Sequence, residues 1–280
     1  MTAITEPGIY DMPEDEYHAH PALSSSGARK LLPPSCPARY RWEQDNPPAP
    51  KDHLELGSAA HRLVLGAGPG LAVVDAKDWR TKAAQNERDA ARTGGRIPLL
   101  AAEHDQVLAM AAAIRAHPVA SALFDPERGG VPEQSLFWED PEFGITRRAR
   151  LDWLPQPRDG KRLVIGDLKT TTDASPAAIR KTVANYGYFM QCAWYLDAVT
   201  ALGLDEDPAM LLVFIEKTPP YLVTVAELDD EAITAGRARN TLACEIWRDC
   251  TQAGIWPGYT DDIELITLPA WAARTEDILQ

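Results

Sequence analysis

Apolar positions along the chain recur with two periods. Where they alternate every second residue they predict strands, and where they return every three to four they predict amphipathic helices. Residues 1–22 carry Pro7, Pro13 and Pro21, which exclude any long helix and leave an extended arm. Ser24, Ser25 and Ser26 cap a short helix over 28–32, and Pro33-Pro34 stops it. Another turn or two is expected over 36–43, anchored by Tyr40 and Trp42, followed by a proline-rich link over 46–50. Residues 56–65 predict a helix of small residues ended by Gly66, whose Gly and Ala positions let a neighbouring backbone come close and put His61 in packed surroundings.

A strand over 71–74, a polar helix over 79–92 and an Ala-rich amphipathic helix over 101–117 follow, the helices forming an excursion from the core. Three strand-like runs come next, 133–138, 145–154 and 162–169, and the last two are expected to form a hairpin about 155–160. Ser175-Pro176 opens a helix with proline in its first turn. A second helix over 188–202, strands over 210–216 and 222–228, and a long helix over 230–253 complete the pattern. With no internal repeat or convincing linker, this predicts one α/β domain over 1–280: an N-terminal arm with short helices to residue 55, a core over 56–217, and a C-terminal strand and helix elaboration over 218–280.

The polar interruptions carry the chemistry. The apolar run Leu163-Val164-Ile165 leads through Gly166 into Asp167-Leu168-Lys169-Thr170-Thr171. Strand alternation puts Asp167 and Lys169 on one face and Leu168 on the other, so a carboxylate and an ammonium stand together at the end of an apolar strand. Taken alone, such a pair is most often a salt-bridged strand end. The hairpin places Asp152 on the neighbouring strand. One carboxylate from each of two adjacent strands suits a hard divalent cation, with the Leu168 carbonyl as a further oxygen. Lys169 beside it could orient or deprotonate a water or stabilise charge on a phosphate, which completes a minimal kit for phosphodiester hydrolysis.

Charge refines this picture. The net charge of −13 argues against a simple nucleic-acid binder, yet the basic residues cluster. Seven of them (Arg147, Arg148, Arg150, Arg158, Lys161, Arg162, Lys169) lie between 147 and 169 against three acidic ones. A second cluster, Arg80, Lys82, Arg88, Arg92 and Arg96, meets only Glu87 and Asp89. An acidic body with basic patches admits a polyanion at one place and repels it elsewhere. The apolar content of 45% is that of an ordinary globular chain. No apolar run approaches the ~20 residues of a membrane span, and the N-terminus lacks a secretion signal, which predicts a cytoplasmic protein. Four cysteines in a chain of this length do not make a disulfide framework.

The order Glu133, Asp152, Asp167-Leu168-Lys169 resembles the PD-(D/E)xK nuclease superfamily. Gln191 and Tyr195, on one helix face, resemble the Gln-x-x-x-Tyr motif of its RecB-like branch, and the helix GSAAHRLVLG resembles that branch's upstream helix, whose His binds the metal. Five separated stretches, MPEDEYHAHPALSSSGARKLL, GSAAHRLVLG, RARLDWLP, DLKTTTDASP and YGYFMQCAWYLDAV, are similar to the nuclease domain of RecE-type (exonuclease VIII-like) phage exonucleases, over roughly residues 8–217.

The resemblance implies a restriction-endonuclease-like core, a central mixed sheet flanked by helices. It implies that His61, Asp152, Asp167 and the Leu168 carbonyl bind Mg²⁺ or Mn²⁺, with Glu133 as a further ligand, and that Lys169 is the catalytic lysine. Gln191 and Tyr195 position the lysine or the scissile phosphate. The implied activity is 5′-to-3′ degradation of one strand from the ends of linear duplex DNA, leaving a 3′ tail for a RecT-like annealing protein. A phage or prophage recombination system and a homo-oligomeric ring, a tetramer, come with it. Arg148 and Arg150 share a face with Asp152 and are expected, with Thr170 and Thr171, to contact DNA.

Alternatives stay open at this point: an endonuclease or single-strand nuclease of the same chemistry, or a non-catalytic module binding DNA ends or a partner. Taken alone, His61 reads as a satisfied core histidine, Glu133 as a solvated strand edge, and Gln191 and Tyr195 as hydrogen bonders at the core rim. Some RecB-like relatives hold an iron–sulfur cluster. Cys36 and Cys244-x5-Cys250 fit part of that pattern, but Thr241 stands at the remaining position, so the cysteines are read as packing residues.

Overall fold

A computed structural model describes residues 4, 6–46, 52–158, 160–269 and 272. The N-terminal segment is more ordered than its prolines predict. It forms β1 (Gly8–Tyr10), the six-residue α1 (Glu14–Ala19), β2 (Leu23–Ser24) and α2 (Ser25–Leu31), which is capped by the Ser24 side chain accepting from the Gly27 N–H. The prolines limit helix length without preventing a short helix between them. Next come α3 (Pro37–Asp45) and α4 (Asp52–Leu65), which begins earlier than its small-residue run; most of the expected proline-rich link lies outside the described residues.

The excursion consists of β3 (Leu71–Val74), α5 (Lys82–Thr93) and β4 (Ile97–Leu100), with β3 and β4 paired in parallel. Pattern reading misses β4 because four residues interrupted by Pro98 show no period. After α6 (Ala101–Ala116), His117 turns the chain into α7 (Pro118–Leu123) and a 3₁₀ turn at Pro126–Arg128.

β5 (Val131–Asp140), β6 (Ile145–Leu154) and β7 (Val164–Thr171) form the middle of the sheet, followed by α8 (Pro176–Tyr186), α9 (Tyr188–Ala201), β8 (Ala209–Glu216), β9 (Val223–Glu227) and α10 (Asp230–Ala253). The sheet runs β1-β5-β6-β7-β8-β9, with β2 alongside β6. Its neighbours are antiparallel except the parallel β7–β8 and β2–β6 pairs, so the sheet is mixed, as expected.

Helices cover both faces. Leu151, Ile165, Leu212 and Phe214 pack with Ile179, Trp194 and Cys244 from α8, α9 and α10 on one side. Leu168, Val213 and Ile215 pack with Ala59, Ala60, Met110 and Ile114 from α4 and α6 on the other. Gly236 lets α10 approach α9 closely: a Cβ there would sit 2.3 Å from the Phe189 carbonyl oxygen. Tyr17 and Phe137 anchor the N-terminal segment over the end of β5 and β6. All four cysteines are buried and unpaired by disulfides. No single described helix is long and apolar enough to cross a membrane.

Candidate active site

The hairpin of β6 and β7 exists, but its ladder is short. Regular pairing is confined to Trp153 opposite Gly166, and a bridge at Arg158–Lys161 closes the connection. Beyond Gly166 the two strands separate. At the split the Asp152 Oδ2 accepts the Leu168 N–H at 2.8 Å, a carboxylate taking the place of a ladder carbonyl. The seam between β6 and β7 is therefore lined by a carboxylate rather than closed by backbone.

α4 approaches this seam from one face. Its Ala59 and Ala60 are fully buried, and His61 one residue on sits over the seam. The His61 Nε2 donates to the Leu168 carbonyl at 2.7 Å, since a carbonyl can only accept. The His61 Nδ1 then faces the Asp152 Oδ2 at 3.5 Å. Burial, followed by the nearby Lys169 ammonium, holds the imidazole below its usual range and so favours the neutral ring.

α9 approaches from the other face. Gly187 adopts a left-handed φ of 67° between α8 and α9, and the stem of Arg29 lies against it, so that the chain turns sharply into α9. One turn into that helix, the Gln191 Nε2 donates to the Asp167 Oδ1 at 3.0 Å. Tyr195 is hydrogen-bonded to Gln191 in turn, and burial, then Tyr17 and Asp167, raises its phenol well above the usual range. Asp167 is 1% exposed and its Oδ2 is ion-paired with Lys169. The Lys169 ammonium lies 4.8 Å from the centre of the Tyr188 ring, a cation–π contact that sequence reading missed. Burial alone would lower the Lys169 pKa, but Asp167 and Asp152 outweigh it and hold the ammonium above the usual lysine range.

Glu133 stands across the β5–β6 ladder from Asp152, between the registered pairs Pro132–Trp153 and Gln134–Leu151. Its φ of 56° is left-handed, a conformation that costs a non-glycine residue on the order of 1–3 kcal/mol. The Glu133 Oε2 accepts from the Arg150 Nε at 2.8 Å. Burial and then Asp152 push the Glu133 carboxyl upward, with Arg150 opposing. His61, Glu133 and Asp152 offer ligand atoms that all lie within 4.8 Å of one another.

The family described as "PDDEXK-like domain of unknown function (DUF3799)" matches residues 24–269. The chain belongs to this PDDEXK-like family. None of the curated proteins is similar to it by sequence. Among solved structures, a suspected exonuclease of Eubacterium rectale superposes with a TM-score of 0.62 over 95% of this chain and 99% of its own, at 12% identity. The alkaline exonuclease LHK-Exo of Laribacter hongkongensis is 15% identical over 73% of this chain and 97% of its own, with a TM-score of 0.26. At these values the first likeness speaks for the fold alone and the second is too remote to carry an argument.

The PDDEXK-like seam fits a divalent cation on its own donor chemistry. The neutral His61 ring points its Nδ1 lone pair at a carboxylate oxygen that has one N–H partner, and two acceptors facing each other must share a proton or a cation. Burial, then the neighbouring Asp167, pushes the Asp152 carboxyl up to about 8, and Lys169 and Arg150 offset only part of that rise. His61, Glu133 and Asp152 are the residues that would hold the ion, with the Leu168 carbonyl beside them. A divalent cation there would supply Lewis acidity toward a phosphate oxygen and make a water more acidic.

The remaining expected site residues divide. Tyr195, Gln191 and Arg150 line one cleft of about 1610 Å³ with His61, Glu133 and Asp152. Arg148 is buried, its guanidinium 4.6 Å from the centre of the Tyr17 ring and donating to the His18 carbonyl, so it serves the N-terminal segment. Arg150 also donates to the Met12 carbonyl and the Ser135 hydroxyl. Thr171 closes a turn with Asp173, and Thr170 faces Gly57 of α4.

Proposed function

We propose that this PDDEXK-like chain is a divalent-metal-dependent exodeoxyribonuclease, with Mg²⁺ or Mn²⁺ held by His61, Asp152, Asp167, Glu133 and the Leu168 carbonyl. In this reading it removes one strand of linear duplex DNA, 5′ to 3′, and leaves a 3′ tail for a RecT-like annealing protein. It works in the bacterial cytoplasm as a single nuclease domain assembled into a homo-oligomeric ring, a tetramer. Polarity, recombination role and ring rest on the resemblance of the five sequence stretches to RecE-type exonucleases. The observation that carries the chemistry is convergence: an imidazole from α4 and carboxylates from β5 and β6 meet at one strand seam, with the Asp167–Lys169 pair of β7 next to them.

Within that seam Asp167 and Asp152 favour the charged form of Lys169, which suits it to neutralise charge on a reacting phosphate. Gln191 fixes the Asp167 carboxylate, and Tyr195 fixes Gln191. The test is release of acid-soluble nucleotides from linear and from closed circular duplex, with and without Mg²⁺, alongside Lys169→Ala. Metal-dependent release from linear DNA that falls by about 10²–10⁴ in the variant is expected. Cleavage of closed circles would replace the exonuclease by an endonuclease, and full activity in Lys169→Ala would remove this centre.

A further inference from the structure

Of the two basic clusters, the larger in sequence is mostly consumed inside the molecule. Arg147 and Arg148 are buried, Arg150 is paired with Glu133 and Lys169 with Asp167, while the exposed Arg158, Lys161 and Arg162 line a separate cavity and not the cleft of His61 and Asp152. The second cluster lies on the β3–α5–β4 excursion, where Arg80, Lys82 and Arg96 face solvent while Arg88 and Arg92 are mostly covered. Arg80 has 91% of its side chain exposed, with its Nε 3.7 Å from the Asp78 carboxylate, and Lys82 and Arg96 are exposed as well. Arg92 is paired with Glu55 at 2.8 Å, which bolts the excursion to α4, the helix that carries His61.

The excursion also forms part of the cleft. Gly95, with Gly68 and Pro69 in the turn that leads into β3, lines the same cavity as His61 and Asp152, and the Arg96 side chain runs beside Gly70 and Gly94 at that edge. The N-terminal segment lines the cleft too, and there it contributes Asp11, Glu14 and Asp15. A polyanion entering this cleft is repelled by the α1 acids and drawn toward the excursion. On the excursion, Trp79 is half-buried and covered by the Arg88 guanidinium at 5.9 Å. The surface thus offers cations without an open aromatic platform, which suits the phosphate rails of a duplex better than the stacked bases of a single strand.

We propose that the β3–α5–β4 excursion is the duplex-holding arm of this protein, with Arg80, Lys82 and Arg96 contacting the phosphates of double-stranded DNA whose end enters the cleft. This rests on the nucleic-acid reading of the cleft but not on hydrolysis. The test is binding of a fluorescent 30-bp blunt duplex and a 30-nucleotide single strand across a NaCl series in EDTA, comparing wild type with R80Q/K82Q/R96Q. The arm predicts that the slope of log K against log salt weakens by about two to three, near 0.9 for each phosphate no longer neutralised. Duplex affinity should fall at least tenfold at low salt and single-strand affinity much less. Acetylation of Lys82 in the wild-type protein, read by mass spectrometry, should drop when duplex is bound, a readout that needs no variant.

An unchanged slope and undiminished Lys82 labelling would overturn the arm, as would a wild-type protein that does not bind duplex. An arm-dependent slope in a protein that never hydrolyses DNA would sustain the arm and sink the nuclease reading. The two claims therefore fail separately.

Discussion

The crowding of carboxylates at the β6–β7 seam has a consequence for stability that needs no substrate. Burial and Asp167 raise the Asp152 carboxyl to about 8 from an ordinary value of 3.8. A raised acid binds its proton in the folded state over a pH range where the unfolded chain has released it. Without metal, folding therefore loses stability as pH rises toward that raised value. Glu133 is raised by the same crowding and acts in the same direction. His61, held below its usual 6.5, acts oppositely but only below that value, so the carboxylate effect stands alone between about pH 6.5 and 8.

One extra proton held by the folded state changes stability by about 1.4 kcal/mol per pH unit, or about 2 kcal/mol across that window. For a chain of 280 residues that is about 3 °C in Tm. Thermal unfolding followed by dye fluorescence in EDTA at pH 6.5, 7.25 and 8 reads it directly. Wild type should lose stability along this series, and Asp152→Asn, which cannot ionise, should flatten it. Mg²⁺ or Mn²⁺ should raise the wild-type Tm more at pH 8 than at pH 6.5, with the rise largely lost in Asp152→Asn. A metal-free wild type whose Tm rises with pH over the window would refute the reasoning, as would an Asp152→Asn variant that keeps the full wild-type slope.

Other expectations follow from individual side chains. Glu133→Gln keeps the shape of the residue opposite Asp152 but removes a charged ligand, and should weaken divalent-ion binding about 10- to 100-fold by isothermal titration. Gln191→Ala frees the Asp167 Oδ1 and should lower kcat about tenfold with little change in KM, marking a positioning role. Gly236→Val sets side-chain atoms against the Phe189 carbonyl and should cost about 2–3 kcal/mol in urea unfolding. Trp194→Ala empties a fully buried site beneath Trp138 and Arg147, and should cost about 3–5 kcal/mol.

The expected strands and helices that carry the site were legible because each has a clean period or a cap. Ser24, Ser175 and Asp229 all accept the backbone N–H their positions require. Alternation correctly set Asp167 and Lys169 on one face and Leu168 on the other, since Leu168 packs under α4 and α6 while Asp167 meets Gln191. Except for β3, an unbroken apolar run, the shortest elements were not legible: β1, α1, β2, β4 and α7 run two to six residues, too few for a period to emerge. Sequence spacing also could not show that β6 and β7 part after Gly166, because a split ladder leaves no compositional trace.

The arginines mark where sequence-level electrostatics reaches its limit. A strand reading Arg147-Arg148-x-Arg150 looks like a charged outer face, and alternation alone assigns two of the three to one side with Asp152. Yet Arg147 is sandwiched against Trp138 and Trp194 and paired with Asp140, while Arg148 is covered by Tyr17. Which cations stay in water is decided by aromatic rings and acids brought from 7 to 131 residues away, and no local window contains Trp194 or Tyr17. The same long-range logic builds the centre. Burying His61, Asp152, Asp167 and Glu133 together is unfavourable for each carboxylate, and Lys169 and Arg150 offset only part of the charge. A fold that gathers these groups from four separate elements, with Glu133 in a left-handed backbone among them, leaves carboxylate charge that a divalent cation would offset.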